Sequence, residues 1–265
     1  MQLRGKTVLL TGATGGLGRA IARALAERGA TLVLSSRKEE ELAQLAAELP
    51  GAGHRHVVSD LAEEGEALRL LESAGELDAF VANAALPASG KIESFTQEEI
   101  TRALRVNLDA PIRMARELVP VFTERDAGHL VFVASLSAKA ATPRTSLYGA
   151  TKAGIRAFAL CLREDLRDTN VGVSVVSPGT IRSAGMFADA GVEGHPLIGT
   201  GTPEQVGAGV VTAIERNRGE VAVAPVRQRF LSQFSLNAPE LAGRLSADMA
   251  TRYADQVAQN QTDKR

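Results

Sequence analysis

Tyr148 and Lys152 stand four apart in the run Tyr-Gly-Ala-Thr-Lys, thirteen residues after Ser135. On a helix those two positions share a face, so a phenol and an ammonium can act on one space. A free phenol has a pKa of about 10 and is a poor proton shuttle at neutral pH. A neighbouring cation favours phenolate, lowers that pKa and makes tyrosine usable in acid–base catalysis. The spacing alone fits two residues on an ordinary helix surface equally well, so the weight falls on what surrounds them. Far upstream lies Thr11-Gly12-Ala13-Thr14-Gly15-Gly16-Leu17-Gly18. Glycines let backbone amides approach a pyrophosphate unobstructed, and a following helix adds its positive end. The segment lacks Gly-Lys-Ser or Gly-Lys-Thr, which excludes a P-loop.

The elements that must position these groups follow from hydrophobic periodicity. Apolar runs at 6–11, 31–35, 54–58, 78–82, 129–134, 171–176 and 220–224 read as strands. Stretches of helical period fall at 17–28, 38–49, 62–74, 97–124, 146–169 and 203–217, with Leu17, Ile21 and Leu25 on one face of the first. Pro50 and Gly51 end the second helix, and Pro111 and Pro120 kink or trim the fourth. Continuous rather than alternating apolar strands suit a parallel sheet covered on both faces. The alternation predicts α/β class: a single-domain, doubly wound, Rossmann-like parallel sheet of about seven strands with helices on both faces. Within that one domain, 1–265, residues 1–145 form mainly the cofactor half and 146–224 the catalytic helix and substrate side. Residues 225–265 form a helical, partly amphipathic appendage carrying Phe230, Leu231, Phe234, Leu236, Leu241 and Leu245. Residues 183–201, rich in glycine and small side chains, read as a mobile loop.

The spacing Gly-x-x-x-Gly-x-Gly with a leading Thr, joined to Tyr-x-x-x-Lys, resembles the short-chain dehydrogenase/reductase family, in register over residues 5–183. The resemblance extends to Asp60-Leu61 after the third strand and to Asn83-Ala84-Ala85 after the fourth. It also takes in Asn107 in Val-Asn-Leu, Ser135 at the end of the fifth strand, and Pro178-Gly179 followed by Ile181 and Ser183. Ala85 stands where the family usually has Gly, which leaves the turn intact if the backbone there is not left-handed. Ser183 stands for Thr and keeps the hydroxyl.

The resemblance implies an oxidoreductase moving a hydride between a nicotinamide and a carbonyl or secondary alcohol. In it Tyr148 is the acid or base, Lys152 binds the ribose and lowers the phenol pKa, Ser135 polarises the substrate oxygen and Asn107 belongs to a proton relay. Gly12, Thr14, Gly15, Gly16, Leu17, Gly18, Asp60, Leu61, Asn83, Ala84, Ala85, Pro178, Gly179, Ile181 and Ser183 are then cofactor contacts, with Tyr148 and Lys152 themselves.

The end of the second strand selects the cofactor. An acidic residue there bonds the adenine ribose and repels a 2′-phosphate. Here Ser36 occupies that position and Arg37 follows, a planar fork that matches a phosphate. NADP(H) is therefore expected in preference to NAD(H), with selectivity resting on one arginine. Arg37 also fits a basic residue opening a solvated helix, since Glu39, Glu40 and Glu41 follow.

Other features narrow the field. Lys and Arg total 30 against 31 Asp and Glu, so neither a nucleic-acid footprint nor an acidic tail is present. Every apolar run is interrupted before membrane-spanning length, and the first residues run straight into a strand without room for a signal peptide. A soluble, cytoplasmic protein is expected, with no metal, nucleic acid or membrane partner. The single Cys161 reads as a packing residue. His54, His56 and His129 read as structural or solvated. Ser137 competes with Ser135 for the substrate oxygen. Leu86, Pro87, Leu136, Met186 and Phe187, with Arg144, Arg182 and His195, are candidate substrate neighbours. They suit a small-molecule carbonyl or alcohol, lipophilic or carrying a carboxylate.

The family resemblance implies a homodimer or homotetramer through the long fourth and fifth helices. The alternatives are an NAD-dependent alcohol dehydrogenase of the same family, a sugar-nucleotide epimerase or dehydratase, and a non-catalytic NADP-binding regulator or scaffold. The regulator has no need of the Ser135, Tyr148 and Lys152 set.

Overall fold

The computed structural model describes residues 1–182 and 199–244. Strands β1 (Thr7–Thr11), β2 (Thr31–Ser36), β3 (Arg55–Val58), β4 (Ala79–Ala82), β5 (Gly128–Val133), β6 (Val171–Pro178) and β7 (Glu220–Val223) form one sheet in the order β3-β2-β1-β4-β5-β6-β7. Every neighbouring pair is parallel. Helices α1 (Gly16–Glu27), α2 (Glu39–Glu48), α3 (Glu66–Ala74), α4 (Gln97–Leu104), α5 (Ala110–Glu124), α6 (Ser146–Asp165), α7 (Pro203–Glu215) and α8 (Val226–Asn237) accompany it.

Side chains of a strand alternate between faces, and the core divides accordingly. Val8, Leu10, Leu32, Leu34, Val131 and Val176 point to one face, packed against Ile21 and Leu25 of α1, Leu42 of α2 and Val210 and Ile214 of α7. Leu9, Val33, Phe80, Leu130, Phe132 and Val175 point to the other, against Leu70 of α3, Met114 and Phe122 of α5 and Ile155 of α6. Phe132 meets Phe158 of α6 edge to face, ring centroids 5.6 Å apart. Each such side chain contributes about 1.5–3 kcal/mol on burial. Because both faces are covered, β1, β4, β5 and β6 read as nearly unbroken apolar runs.

Chain order reverses between β1 and β4: the chain winds outward from β1 to β3 and then returns to add β4 through β7. At such a switch point the loops beyond the strand carboxyl ends diverge and leave a crevice. A smaller cluster, Ala88, Phe95, Ala103 and Leu147 with partly buried Ile100 and Tyr148, packs the α4 side of that crevice.

Four expectations change. The stretch 97–124 is not one helix: α4 and α5 are separated by a π turn, Arg105–Asp109. Pro111 lies in the first turn of α5, where a missing N–H costs nothing, and Pro120 is tolerated inside it. The expected helix at 62–74 begins only at Glu66, after Gly65 at φ 79°, because Ala62 N and Glu63 N bond Asp60 in a tight turn first. Cys161 is exposed, so it is not a packing residue. Helix α8 reverses the expected amphipathicity: Gln228, Ser232 and Ser235 are its buried residues, whereas Val226, Phe230, Leu231 and Leu236 are exposed. Leu241 is exposed as well, and Leu245 lies outside the described residues.

Candidate active site

The glycine loop joins β1 to α1 at the switch point. Thr11, at the end of β1, is its anchor: the Thr11 hydroxyl accepts from Asn83 N at 3.1 Å and Ala84 N at 3.2 Å. The Asn83 side-chain amide donates to the carbonyls of Thr11 and Gly12, both at 3.1 Å. A Cβ on Gly12 would lie 2.8 Å from Ala84 Cα, and one on Gly18 would overlap the Gly12 carbonyl oxygen. These glycines are therefore required by close approach of backbone to backbone. Ala85 is not among the residues at positive φ, so its methyl fits the turn.

Gly15 caps α1 without a side-chain hydrogen bond, and the first turn holds no acidic residue. Gly15 and Gly16 are exposed, so the leading amides of α1 face the crevice bare of side chains. Free amides at a helix N-terminus with no competing carboxylate fit the pyrophosphate of a dinucleotide. Thr14 is half-buried, its carbonyl taken by Arg19 Nε at 3.1 Å, and Leu17 packs against the core.

At the end of β2, the Ser36 hydroxyl accepts from Lys38 N at 3.2 Å. Arg37 is 54% exposed and its guanidinium lies 3.7 Å from the Asp60 carboxylate. That carboxylate also accepts from Ala62 N at 3.0 Å, which fixes it beyond β3. Leu61 is buried in the core beside it. The corner thus presents an exposed guanidinium, and the nearest acid is Asp60, one strand away.

On the other side of the crevice, β5 ends into a short 3-10 turn, Leu136–Lys139, capped by Ser135, whose hydroxyl accepts from Ser137 N at 3.2 Å. Tyr148 and Lys152 lie on the first turns of α6 and face that turn. The Ser135 hydroxyl lies near enough to Tyr148 to act on its phenol, favouring the phenolate. Lys152, 4% exposed, donates from Nζ to the Val133 carbonyl at 2.9 Å and sits 5.9 Å from the Tyr148 ring centroid. Burial pushes the phenol up to about 12, against the opposing effect of the Ser135 hydroxyl. Burial also pulls the Lys152 ammonium down to about 8. The depression of the phenol pKa expected from the spacing is thus outweighed by desolvation, which disfavours the charged form of each group.

Asn107 sits in the π turn, buried. Its Oδ1 accepts from Leu86 N at 2.7 Å, and its Nδ2 donates to the Leu86 carbonyl at 3.0 Å and to Thr151 Oγ1 at 3.4 Å. The side chain is therefore spent on fixing the 85–92 loop and α6. A π turn shifts bonding from i+4 to i+5, and Ala110 N accordingly donates to Arg105 O. The loop is pinned again where Tyr148 N donates to Ala88 O at 3.1 Å and Gly90 N to Arg144 O at 2.7 Å, with Arg144 itself at φ 61°.

Pro178 and Gly179 end β6 facing α8. Gly179 N donates to Val223 O at 3.0 Å, and Ile181 pairs with Gly201 in an isolated bridge. Gln228 of α8 ties both flanks of this segment, accepting from Thr180 N at 3.0 Å and donating to Gly199 O at 2.6 Å. A Cβ on Gly179 would overlap that Gln228 side chain. Ser183, Met186, Phe187 and His195 lie outside the described residues.

Leu86 and Leu136 are buried, Pro87 is half-buried and Arg182 is exposed. Ser137 Oγ is buried and has no hydrogen-bond partner among the described residues. His129 is buried inside the sheet, its Nε2 bonded to Ser174 Oγ at 2.8 Å, and His54 Nδ1 accepts from Leu32 N at 3.1 Å, so both are structural. Thr151, Gln228 and Glu220, which support the site, carry no sequence motif. Their spacing to their partners has no period, and only side-chain packing reveals them. No helix among the described residues is long and apolar enough to cross a membrane.

The family model for short chain dehydrogenases matches residues 6–191. Ketoacyl reductase HetN of Nostoc sp. is 37% identical over 227 residues, covering 83% of this chain and 79% of its own. Among solved structures, a short-chain dehydrogenase from Sphingobium yanoikuyae in complex with NADPH superposes with a TM-score of 0.75 at 26% identity, covering 93% of each chain. A structure bearing on 7beta-hydroxysteroid dehydrogenase stereoselectivity superposes with a TM-score of 0.79 at 26% identity, covering 96% of this chain and 100% of its own.

Proposed function

The chain belongs to the short-chain dehydrogenase/reductase family, and from that premise we propose an NADP(H)-dependent oxidoreductase acting on a carbonyl or secondary alcohol. The observation that carries the reading is the meeting of Ser135, Tyr148 and Lys152 at the carboxyl end of β5, across the crevice from the bare amides of α1. A nicotinamide bound in this crevice supplies the hydride exchanged with the substrate carbon. Ser135 and Tyr148 then hold the substrate oxygen between two hydroxyls. Tyr148 gives its proton to that oxygen as carbonyl becomes alcohol, and takes one in the reverse direction. Ser135 donates to the oxygen as negative charge develops there. Lys152, charged below about 8, bonds the ribose and stabilises the phenolate that proton donation leaves. Asn107 holds the 85–92 loop and α6 together, and by family resemblance it is assigned to a proton relay toward Lys152.

Burial raises the phenol pKa, so Tyr148 holds its proton at neutral pH before carbonyl reduction begins. The NADP preference rests on Arg37, exposed at the end of β2, with Ser36 in place of a carboxylate. Glycine-loop contacts are assigned to Gly12, Thr14, Gly15, Gly16, Leu17 and Gly18, adenine contacts to Asp60 and Leu61, and nicotinamide-side contacts to Asn83, Ala84, Ala85, Pro178, Gly179, Ile181 and Ser183. The apolar surroundings suit a lipophilic carbonyl. Relatives named for ketoacyl and hydroxysteroid chemistry make ketoacyl thioesters and ketosteroids the first substrates to try. Assembly into two or four copies through α5 and α6 is the arrangement that the resemblance implies, and light scattering reads it.

The test is NADPH binding by fluorescence followed by NADPH oxidation against a carbonyl panel. Turnover with NADPH well above that with NADH supports the reading; tight binding without turnover of any carbonyl moves it to a binding protein. Arg37→Asp is expected to weaken NADPH binding by about 10- to 100-fold, the scale of a lost charge-assisted phosphate pair. Unchanged NADPH and NADH affinities in that variant would refute the NADP assignment.

A further inference from the structure

Glu220, the first residue of β7, receives four hydrogen bonds from three different elements. Arg156 of α6 meets it as a fork, Nε to Oε1 at 3.0 Å and Nη2 to Oε2 at 2.9 Å. Lys139 Nζ lies 2.9 Å from Oε1, and Ser177 Oγ donates to Oε1 at 3.0 Å. The side chains of Lys139, Glu220 and Arg156 are 10%, 19% and 23% exposed. Burial alone would raise the Glu220 carboxyl, but the Arg156 and Lys139 bonds hold it at about 2.

The donors are placed where the chemistry is. Lys139 closes the turn that Ser135 opens. Arg156 lies one helical turn beyond Lys152 on α6. Ser177 immediately precedes Pro178-Gly179 on β6. One carboxylate therefore binds together the element carrying Ser135, the helix carrying Tyr148 and Lys152, and the strand end assigned to the nicotinamide side.

From this geometry we infer that Glu220 is a positioning residue for the reaction, holding the Ser135 turn against the Tyr148–Lys152 helix. The inference rests on the proposed function for the meaning of those three side chains. Without the carboxylate, Lys139 and Arg156 are two partly desolvated cations facing each other, and their repulsion acts directly on the contact between the turn and α6. The Glu220 carboxylate is bonded to Arg156, Lys139 and Ser177 and not to Ser135, Tyr148 or Lys152, so its role is positional. It acts through the placement of the Ser135 turn against the helix of Tyr148 and Lys152, where a displacement of about 1 Å costs roughly 100-fold in rate.

Glu220→Gln keeps the shape and removes the charge. The expected result is a 10- to 100-fold fall in kcat for carbonyl reduction, larger than any change in NADPH affinity, since the glycine loop that holds the pyrophosphate lies across the crevice. Glu220→Asp, which keeps the charge, is expected to recover part of the loss. In a Ser135→Ala background the Glu220→Gln effect shrinks to about twofold, because the group it positions is gone. Amide hydrogen exchange supplies a readout independent of turnover: Glu220→Gln should speed exchange in 135–140 and 146–156 and leave 7–36 unchanged. Should Glu220→Gln fail to fold, Ser177→Ala, which removes one of the four bonds, carries the same tests with a smaller effect.

Unchanged kcat, a full effect persisting in the Ser135→Ala background, or unchanged exchange in 135–140 and 146–156 overturns the positioning role. A wild-type protein that turns over no carbonyl overturns the proposed function instead, and the exchange arm still decides whether Glu220 holds the two elements together.

Discussion

Tyr148 and Lys152 show how far a residue's surroundings can move it from its spacing. Four residues of separation suggest a cation that lowers a phenol pKa. In the fold both groups lie beneath the Ser135 turn, and desolvation acts on each in the direction of its neutral form. The phenol therefore keeps its proton across the whole neutral range, as a donor to a carbonyl oxygen requires. The lysine, drawn down to about 8, is the group whose charge is at risk within a usable pH range. Its cation is present below that value and lost above it, so carbonyl reduction should decline along an alkaline limb near about 8 in a profile of kcat/KM against pH. A flat profile between neutrality and pH 10 would count against the role given to Lys152. Tyr148→Phe removes only the hydroxyl and should lower turnover by at least about 1,000-fold, within what proton transfer and oxygen binding together supply. NADPH binding in that variant should stay within a few-fold of wild type by fluorescence titration.

Among elements, α1 was the most legible. Its apolar period at Leu17, Ile21 and Leu25 and the glycines before it state both the helix and the turn. The structure adds the reason for Gly18: its Cα packs against the Gly12 carbonyl, where no side chain fits. Gly18→Val is expected to cost about 1–3 kcal/mol of stability, the usual scale of overpacking, and to weaken NADPH binding in parallel. A thermal melt and a binding titration on the same sample measure both; an unchanged melting temperature would contradict the close approach. The stretch 97–124 was legible as helix but not as two helices, because its break is a π turn rather than a proline stop. That turn comes with tertiary bonds from Asn107 to Leu86 and Thr151, which a local period does not contain. Helix α8 misled for a related reason. Gln228, Ser232 and Ser235 face inward, and Gln228 is spent on Thr180 and Gly199, so polar bonding rather than hydrophobicity chose the buried face.

For the molecule as a whole, acid sensitivity should be traceable to two buried or half-buried groups, His129 and Glu220. His129 is buried in β5, its pKa pushed down from 6.5 to about 3 chiefly by burial. The unfolded chain binds that proton below about 6.5 and the folded chain does not, so this contribution is present above 6.5 and is lost as pH falls toward 3. The full loss is on the order of 5 kcal/mol. Glu220, held at about 2 against an ordinary 4.5, acts in the same direction over a lower window, lost as pH falls from 4.5 toward 2. Thermal melts from pH 7 to 4 should therefore fall steeply, and His129→Gln, which cannot take up the proton, should flatten the part of that fall above pH 4.5. An equal slope in the variant would assign the sensitivity elsewhere.

The alternation of apolar strands with amphipathic helices carried the doubly wound sheet, and the order of the glycine loop, Asn107, Ser135, Tyr148 and Lys152 carried the family and its chemistry. Both are short-range information: periodicity states which face a residue buries, and small fixed spacings place groups on one turn or one helix face. Long-range pairing is of another kind. Glu220 meets Arg156 across 64 residues, with no intervening pattern, because β7 is laid beside β6 and the two are brought under α6. The same packing buries Lys152 and partly covers Tyr148, which disfavours the charged form of each. Desolvation and charge pairing depend on everything that surrounds a group in space, so the chain's order named the candidate side chains, while the fold decided how each is buried and which carboxylate joins the elements that carry them.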